Sequence, residues 1–456
     1  MDSAVKNQAL VDALAKNLPE DANEAQVSDI FASKLFNFLG FEENERVPQF
    51  FTVNSTDPVD HALRHNTEND IFNQTKTNPD VLIELKARNI NLADGSKGYK
   101  DTYKKIKRYL LAEKCKSAKW GIITNANHIQ LFRKHGKVIH PATVCLEINS
   151  ENIIKIATLI REEIDQPRKA LIVAVYNDKG GVGKTTTIVN TAATLSLPPY
   201  HKKVLVVDFD PNQRDLTNSL PIESSTPTFF DSLIDKNINV RDVIKSYKHL
   251  INFRGGKQKF GFHVIPVHKD TDWNDIGQKI TFDRLSKKLE PLKNYYDYIF
   301  IDSPTNWQIF SQSAVYAADV VLIPVKHLCL ASLENAAITI KEYIPKVQQV
   351  RRKNQDFGPM ALPIFFNGGN MSEAQKRRVQ IHINQLIKYA QNNRNNKFNL
   401  TPYFYPRYAT GKNMEIFELR HYAPIASSAF DGVPAVYKNK IAREYYKSLV
   451  KEYFLQ

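Results

Sequence analysis

The clearest chemical pattern lies in residues 177–187, which have the sequence Asn-Asp-Lys-Gly-Gly-Val-Gly-Lys-Thr-Thr-Thr. An apolar run before them predicts a buried strand, and residues 188–195 after them predict the start of a helix. A glycine-rich turn between a strand and a helix points backbone N–H groups inward, and the helix N-terminus adds positive potential. The pattern therefore predicts a loop that binds phosphate.

The residue types within this loop predict separate roles. Glycine is needed because a Cβ would block the turn or the close approach of phosphate oxygens. The ammonium group of Lys184 is expected to bridge the β- and γ-phosphates of a nucleotide, and the hydroxyl group of Thr185 is expected to bind Mg²⁺. The predicted nucleotide-binding residues of the loop are Gly180, Gly181, Val182, Gly183, Lys184, Thr185 and Thr186.

A second lysine, Lys179, stands just before the first glycine pair, and Asp178 replaces the first glycine of the common phosphate-loop motif. The resulting pattern K-G-G-x-G-K-T-T resembles the deviant Walker A box of the ParA/MinD family of dimerising ATPases. In that family the early lysine reaches across a dimer interface to the partner's nucleotide. The resemblance implies ATP as the nucleotide, a homodimer that forms on ATP binding, and a catalytic role for Lys179 in that dimer.

Two further motifs follow predicted strands and extend the resemblance. Asp208–Phe209–Asp210–Pro211 is similar to the family's D-x-D-P segment. The resemblance implies that Asp210 orients the attacking water and that Asp208 lies towards the metal. The run from 298 to 304 resembles a Walker B strand, in which Asp302 would hold Mg²⁺ through water. Asn367 ends another predicted strand, where the family has a contact to adenine.

A different pattern occurs near residue 84. Glu84 and Lys86 are two apart on a predicted strand and share one face, whereas Val81, Ile83 and Leu85 fill the other. A charged pair in an apolar strand costs free energy unless it is paired or used. The pair resembles the Glu-x-Lys of PD-(D/E)xK nucleases. The order of short motifs around it is similar to the N-terminal nuclease domain of type I restriction motor subunits.

The remaining metal ligand of such a site can be chosen by distance. Asp80 is four residues from Glu84 on one strand, about 13 Å away and too far to share one Mg²⁺. Asp60 lies on the preceding predicted strand, and neighbouring strands are about 4.8 Å apart. We therefore expect Asp60 and Glu84 to bind Mg²⁺ and Lys86 to position the attacking water.

Two further residues bear on the resemblance to nucleases. Glu24 matches the acid that these nucleases carry on a helix, and Lys105 stands where they often have glutamine. The alternative to an active nuclease is a degenerate domain that only binds DNA.

The composition is that of a globular protein with a basic surface. The 456 residues are 42% hydrophobic and 24% charged, and 62 Lys and Arg against 48 Asp and Glu give a net charge of +14. This balance suits a polyanion, and we expect DNA bound through its phosphates with little dependence on sequence. Ordinary solvated helix faces are the alternative for each basic cluster. The predicted DNA-binding residues are Arg351, Arg352, Lys376, Arg377, Arg378, Lys440 and Arg443.

Together these features predict two α/β domains. Residues 1–166 are expected to form the smaller, restriction-endonuclease-like domain. Residues 167–456 are expected to form a ParA-type P-loop domain with a doubly wound, mostly parallel sheet. Its predicted strands are 170–177, 203–208, 263–267, 298–302, 320–325 and 362–366.

The function implied by the resemblance is that of a cytoplasmic, nucleoid-associated ATPase that partitions or positions DNA and hydrolyses ATP to ADP and phosphate. A ParB-like stimulating protein is a further expected partner. We expect no membrane partner, because the sequence has no transmembrane-length run and its last predicted helix is a poor lipid anchor. The three widely spaced cysteines fit a reduced compartment. The alternative function is an ATP-gated, Mg²⁺-dependent nuclease that acts in defence against foreign DNA.

Overall fold

The computed structural model describes residues 3–53, 57–166, 170–253, 255–394, 397–406 and 415–456. Two units are distinguished. The first comprises Met1–Arg168, Arg352–Phe357 and Phe454–Gln456, and the second comprises Lys169–Arg351 and Gly358–Tyr453. The predicted boundary between residues 166 and 167 adjoins 167–169, which lie outside the described residues. The predicted ranges 1–166 and 167–456 stay predictions.

The first unit is built on a mixed sheet. Its strands are β1 (Arg46–Phe50), β2 (Val59–Leu63), β3 (Val81–Leu85), β4 (Trp120–Thr124), β5 (His128–His135), β6 (Val138–Pro141) and β7 (Leu146–Glu147). The order is β1-β2-β3-β4-β5-β6, and β7 pairs with β5. Strands β3 and β4 are parallel, and the other described pairs of this sheet are antiparallel.

Helices cover both faces of this sheet. They are α1 (Ser3–Asp12), α2 (Glu24–Gln26), α3 (Ser33–Phe38), α4 (Phe72–Thr75), α5 (Lys97–Leu110) and α6 (Ile153–Asp165). Short π-helical segments occupy Ala13–Asn17 and Val27–Ala32, and 3-10 turns occupy Glu43–Glu45 and Glu113–Cys115.

Strand β3 contributes to two hydrophobic clusters, one on each face of the sheet. Val81, Ile83 and Leu85 join the cluster that contains residues of α1, α3 and α6. Leu82 joins the cluster that contains Tyr109 of α5. The predicted division of β3 into two faces is confirmed, and it places Glu84 on the face that α5 covers.

The second unit carries more strands and helices. Its strands are β8 (Leu171–Val175), β9 (Val204–Asp208), β10 (Lys245–Phe253), β11 (Gly256–Ile265), β12 (Tyr298–Asp302), β13 (Val320–Leu322), β14 (Pro324–Val325), β15 (Met360–Ala361), β16 (Phe365–Asn367) and β17 (Phe417–Leu419). Its helices are α7 (Lys184–Ser196), α8 (Asp215–Asn218), α9 (Phe229–Ile234), α10 (Trp273–Lys279), α11 (Arg284–Leu289), α12 (Ile309–Ala317), α13 (Leu330–Ile338), α14 (Ile344–Arg352), α15 (Glu373–Asn392), α16 (Thr401–Phe404), α17 (Ala423–Ser427), α18 (Ala435–Lys438) and α19 (Lys440–Tyr453). A π-helical segment at Thr339–Tyr343 and 3-10 turns at Val240–Val243 and Glu290–Leu292 complete the described elements.

The large sheet of this unit has the order β10-β11-β9-β12-β8-β13-β15. Its described pairs are parallel, apart from the antiparallel pair β10–β11. Strands β8, β9 and β12 are buried along their whole length, as expected of a sheet covered on both faces. The predicted α/β fold with a mostly parallel sheet is confirmed.

Two predicted single strands are wrong, and a proline explains each. Residues 320–325 divide into β13 of the large sheet and β14 of a small sheet ordered β14-β16-β17. Of residues 362–366, the first three lie between β15 and β16, and only Phe365 and Phe366 belong to β16. Pro324 and Pro363 lie at these breaks, and proline has no N–H to continue a ladder.

The hairpin formed by β10 and β11 was not predicted from the sequence. Only residues 263–267 were predicted as a strand there, whereas β11 starts at Gly256 and pairs with β10 through nine residue pairs. The first residues of β11 are exposed and polar, so they carry no apolar run to signal a strand. No described helix combines the length and the apolar character that spanning a membrane requires.

Candidate functional site

The predicted phosphate loop connects β8 to α7 and needs glycine at two positions. Gly181 and Gly183 have φ angles of 72° and 82°, in the left-handed region that glycine adopts without strain. A Cβ on Gly183 would also lie 2.4 Å from Nδ2 of Asn367. The loop conformation therefore depends on these residues lacking side chains.

Asn177 anchors the start of the loop. Its buried side chain donates from Nδ2 to the carbonyl oxygens of Pro324 (2.9 Å) and Ser332 (3.0 Å). Its Oδ1 accepts from the backbone N–H of Lys179 at 3.0 Å. The sequence motif includes Asn177, but its spacing gave no signal for these distant carbonyl partners.

Lys184 begins helix α7 and is only 8% exposed. Its ammonium group donates to the carbonyl oxygen of Asn177 at 3.3 Å. Burial lowers the pKa of Lys184, while the carboxylates of Asp302 and Asp210 act in the opposite direction. A buried cation at the N-terminus of a helix can bind the oxygens of a polyphosphate.

Two buried carboxylates end adjacent strands next to Thr185. Asp208 and Asp302 are direct partners in the β9–β12 register, and Thr185 donates from Oγ1 to Oδ2 of Asp302 at 2.6 Å. Burial, and then the charge of Asp208, raises the pKa of Asp302. Burial also raises the pKa of Asp208 to about 6, against hydrogen bonds from Thr217. Because the two carboxylates oppose each other's ionisation, a divalent cation between or beside them would relieve the cost.

This arrangement fits Mg²⁺ held mainly by non-protein oxygens. In the part of the chain that the structure describes, no three His, Cys, Asp or Glu residues are placed to hold a metal ion. Mg²⁺ commonly uses one or two protein oxygens and completes its shell with phosphate and water. Thr185 is suited to a direct contact and Asp302 to a contact through water.

Of two further predicted residues, Asp210 lines the cavity at the phosphate loop and Lys179 does not. Asp210 accepts from the backbone N–H groups of Asn212 (3.2 Å) and Gln213 (3.1 Å), and it lines a cavity of 430 Å³ with the phosphate loop. Lys179 is exposed and is not among the residues that line this cavity. The cavity lining also includes residues that were not predicted from the sequence: Lys326, Arg420, Tyr422 and Tyr446.

Asn367 contacts the phosphate loop itself. Its amide nitrogen donates to the carbonyl oxygens of Val182 (2.8 Å) and Gly183 (3.4 Å) and to Oγ1 of Thr187 (3.2 Å). The expected contact to adenine is untested. These three bonds point to another role, because they tie the end of β16 to the carbonyl side of the loop.

The first unit brings together Glu84, Lys86 and Lys105. Glu84 is fully buried, and its Oε1 accepts from the ammonium groups of Lys86 (2.6 Å) and Lys105 (2.8 Å). Its Oε2 is buried without a hydrogen-bond partner among the described residues. Lys86 lies one residue past the end of β3 and also faces Glu24 at 3.4 Å.

Asp60 belongs to this cluster and Asp80 does not. Oδ2 of Asp60 accepts from the backbone N–H of Leu85 at 2.6 Å. Burial, and then the charge of Glu84, raises the pKa of Asp60 to about 6. Burial raises the pKa of Asp80 as well, but Lys119, His65 and Arg64 are the charges around it.

The fit of Mg²⁺ to this cluster is incomplete. Asp60 and Oε2 of Glu84 are suitable oxygen ligands. However, two ammonium groups already bind Oε1 of Glu84, and no described third acid, histidine or cysteine joins the pair as a ligand set. The residues therefore neutralise Glu84 internally, and a divalent cation would have to compete with Lys105.

The predicted DNA-binding residues differ in exposure and in whether their side chains already have partners within the protein. Arg351 donates to the carbonyl oxygens of Tyr316 (2.9 Å) and Ala318 (2.6 Å), and Arg443 donates to that of Val436 (3.1 Å). These guanidinium groups have structural contacts, which weakens their case as DNA contacts. The remaining predicted residues Arg352, Lys376, Arg377, Arg378 and Lys440 are exposed. Of these, Arg352 pairs with Asp94 (2.8 Å) and Lys376 pairs with Glu373 (2.9 Å).

Comparison with known proteins places a family match mainly on the second unit. Residues 170–357 match a family described as an AAA domain. The sporulation initiation inhibitor protein Soj of Bacillus subtilis is 37% identical over 160 residues, which are 34% of this chain and 58% of Soj. The chromosome partitioning protein ParA of Myxococcus xanthus is 34% identical over 160 residues, which are 34% of this chain and 52% of that protein.

A solved structure, pNOB8 ParA bound to nonspecific DNA, matches with 24% identity and a TM-score of 0.44, covering 62% of this chain and 98% of its own. The chain spans little more than half the length of the two relatives above. Over residues 170–357, the predicted resemblance to ParA-type ATPase domains is confirmed. That match does not include residues 1–166, so their resemblance to nucleases stays a prediction.

The hydrogen bonds of Asn367 predict a phosphate-dependent effect. Asn367→Ala should weaken binding of inorganic tripolyphosphate and of ATP by the same factor, roughly fivefold or more, since two or three bonds that hold the loop are lost. Calorimetry with both ligands measures this. Asn370→Ala, at an exposed neighbouring asparagine, is the control. Weaker ATP binding with unchanged tripolyphosphate binding would instead support the adenine contact.

The raised pKa of Asp60 predicts a pH-dependent stability. Between pH 4 and 6 the folded protein binds more protons than the unfolded chain, so this carboxylate destabilises the fold increasingly as the pH rises through about 6. Asp60→Asn should therefore raise the free energy of unfolding by about 2–3 kcal/mol at pH 7.5 and leave it nearly unchanged below pH 4. Urea unfolding at both pH values tests this.

Asp57→Asn is the matched control with the opposite sign. Partial burial opposes ionisation of Asp57, but hydrogen bonds from Tyr109 and Arg108 hold its pKa below the usual value. Its replacement should lower stability at pH 7.5. If Asp60→Asn gave an equal gain at both pH values, ionisation would not be its cause.

Proposed function

We propose that this chain is an ATP-hydrolysing protein of the ParA type, which forms a homodimer on binding ATP and contacts DNA in that state. The observation that carries the proposal is the joining of Thr185 and the Asp208–Asp302 pair at the edge of one sheet, beside Lys184. These residues lie at the C-terminal ends of parallel strands, where doubly wound sheets bind their ligands.

In the proposed reaction, water attacks the γ-phosphorus of ATP and the bond to the β-phosphate bridging oxygen breaks, which yields ADP and phosphate. Lys184 and the loop N–H groups hold the phosphates. Asp210 lines the same cavity and orients the attacking water. Mg²⁺, when bound with the nucleotide, supplies charge neutralisation to the β- and γ-phosphates, and Thr185 and Asp302 are the residues that would hold it.

The dimer is proposed from the position of Lys179. Its side chain is exposed and lies outside the lining of its own cavity, so it is available to a second subunit. A cation supplied by the partner stabilises phosphate charge only after two subunits have met. This arrangement would link hydrolysis to dimerisation.

DNA is the proposed surface partner, and positioning or partition of DNA is the proposed process. The relatives named above include a chromosome partitioning protein. Near the start of helix α15, Lys376, Arg377 and Arg378 are exposed and suit a phosphate backbone. Association with the nucleoid and stimulation by a ParB-like protein would follow from this function.

Two lysine variants separate nucleotide binding from hydrolysis. Lys184→Ala should weaken ATP binding by about 10- to 100-fold, since a charge-assisted contact to phosphate is lost. Lys179→Ala should leave ATP affinity within about twofold and strongly reduce the hydrolysis rate. Calorimetry and phosphate release measure the two quantities. Normal hydrolysis by Lys179→Ala would contradict the role across the dimer.

DNA cleavage by the first unit is a second candidate function, and the convergence of Asp60, Glu84 and Lys86 supports it. In this reaction water attacks a backbone phosphorus and one P–O ester bond breaks, with Lys86 positioning the water. Lys105 weighs against it, because its ammonium group binds the carboxylate that a metal would need.

Removing the ammonium group of Lys105 tests this candidate. In a nucleotide-free Thr185→Ala background, Lys105→Gln should bind Mn²⁺ roughly tenfold more tightly than its parent, because a competing cation is gone. Electron paramagnetic resonance measures free Mn²⁺, and plasmid cleavage with Mg²⁺ measures activity. Lys104→Gln, a neighbour that is 77% exposed, is the control. A loss of Mn²⁺ binding and cleavage in Glu84→Gln would support the site, whereas no cleavage by any variant would leave the first unit as a binding module.

A further inference from the structure

The hairpin formed by β10 and β11 carries charge of one sign. Strand β10 lies at the edge of the large sheet. The strands have the sequences KSYKHLINF and GKQKFGFHVI, which contain no Asp or Glu. Among their lysines, Lys248, Lys257 and Lys259 are exposed.

The strand register places these three lysines on one face. Lys248, Leu250 and Asn252 alternate along β10, and their partners across the ladder are Gly261, Lys259 and Lys257. Directly opposed residues in an antiparallel pair project to the same side of the sheet. The neighbouring pair Tyr247 and Phe262 is buried on the other side. The hairpin therefore has an apolar inner face and a cationic outer face.

A groove of 580 Å³ continues this cationic face. Its lining includes Lys202, Lys203 and Arg241 in addition to Lys248 and Lys259. Tyr295 also lines it and is 52% exposed, with the guanidinium group of Arg241 4.1 Å from its ring centroid. The groove thus combines several cations with an accessible aromatic ring.

Over the part of the chain that the structure describes, these lysines form no ion pairs, unlike others on the same unit. Among the described residues, no ion pair involves Lys202, Lys203, Lys248, Lys257 or Lys259. Lys279 and Lys287, in contrast, pair with Asp275 and Asp283. The nearby Asp297 accepts from the backbone N–H of Lys203 at 2.8 Å. Cations held close together without anions favour a polyanionic ligand, because binding releases its condensed counterions.

We infer that the outer face of the β10–β11 hairpin and its groove bind the phosphate backbone of nucleic acid. This surface is distinct from the residues on α15, and its binding does not depend on ATP. Lysine is a compact point charge that contacts phosphates without reading bases, so binding has little sequence preference. A two-stranded ribbon also has a width that the major groove of a DNA duplex admits.

The test is a triple substitution in the full chain, Lys248→Gln/Lys257→Gln/Lys259→Gln. Binding to a fluorescent 30-base-pair duplex of mixed sequence is measured by anisotropy without nucleotide at several salt concentrations. The expected result is roughly a tenfold or greater loss of affinity at low salt. The slope of log affinity against log salt should also become shallower by about 2–3, since each phosphate contact contributes about 0.9.

The matched control removes the same charge elsewhere. Lys279→Gln/Lys287→Gln/Lys447→Gln neutralises two exposed lysines and one half-buried lysine that pair with acidic residues. It should leave the affinity within twofold of the parent value and the salt slope within 0.5 of the parent value. Equal losses in the two triple variants would overturn the inference, because net charge alone would then explain the binding. Circular dichroism of both variants checks that the fold is retained.

Further arms identify the ligand and separate this inference from the proposed ATPase. Binding of a single-stranded 30-mer shows whether the surface prefers single-stranded or double-stranded DNA. A loss of affinity in the triple lysine variant for either ligand supports the inference. Loss of binding to vesicles of phosphatidylglycerol and phosphatidylcholine, with unchanged nucleic-acid binding, would contradict it. In a Lys184→Ala background the hairpin substitution should have the same effect on DNA binding. The DNA-binding result can therefore be interpreted even if the ATPase proposal fails.

Discussion

The second unit depends on placing two buried carboxylates side by side. Asp208 and Asp302 end neighbouring parallel strands and are almost fully buried, and each raises the cost of ionising the other. Thr185, Thr217 and the ammonium group of Lys184 supply the surrounding polar contacts and positive charge. The buried strands hold these groups in place, so the fold stores an electrostatic cost at the edge where a phosphate ligand and its cation would bind.

Local signals made this edge predictable. The glycine spacing, the lysine at the helix start and the acids after apolar strands all lie within short segments of the sequence. The α/β fold followed from the same buried strands. Asn367 shows the limit, because its three bonds reach loop residues some 180 positions earlier in the chain. No spacing rule connects residues that only the folded sheet brings together.

The first unit shows the same limit in another form. Strand pairing correctly favoured Asp60 over Asp80 as the neighbour of Glu84, since the separation of strands is a fixed length. The side-chain pairing of Lys105 with Glu84 depends on how α5 packs across β3, which the sequence pattern does not specify. A carboxylate with two ammonium partners is stable without a metal ion, so the residue types alone do not decide its chemistry.

The hairpin at the edge of the large sheet has one more consequence. An edge strand presents unpaired N–H and C=O groups, which can recruit a strand from another molecule and begin aggregation. Lysine side chains along such an edge oppose this, because two copies brought together would repel each other and lose hydration. Lys245 and Lys248 lie on the edge strand β10, and Lys257 and Lys259 lie on its partner β11. The same charges that make the hairpin attractive to a polyanion thus help to keep separate copies of the protein apart in solution.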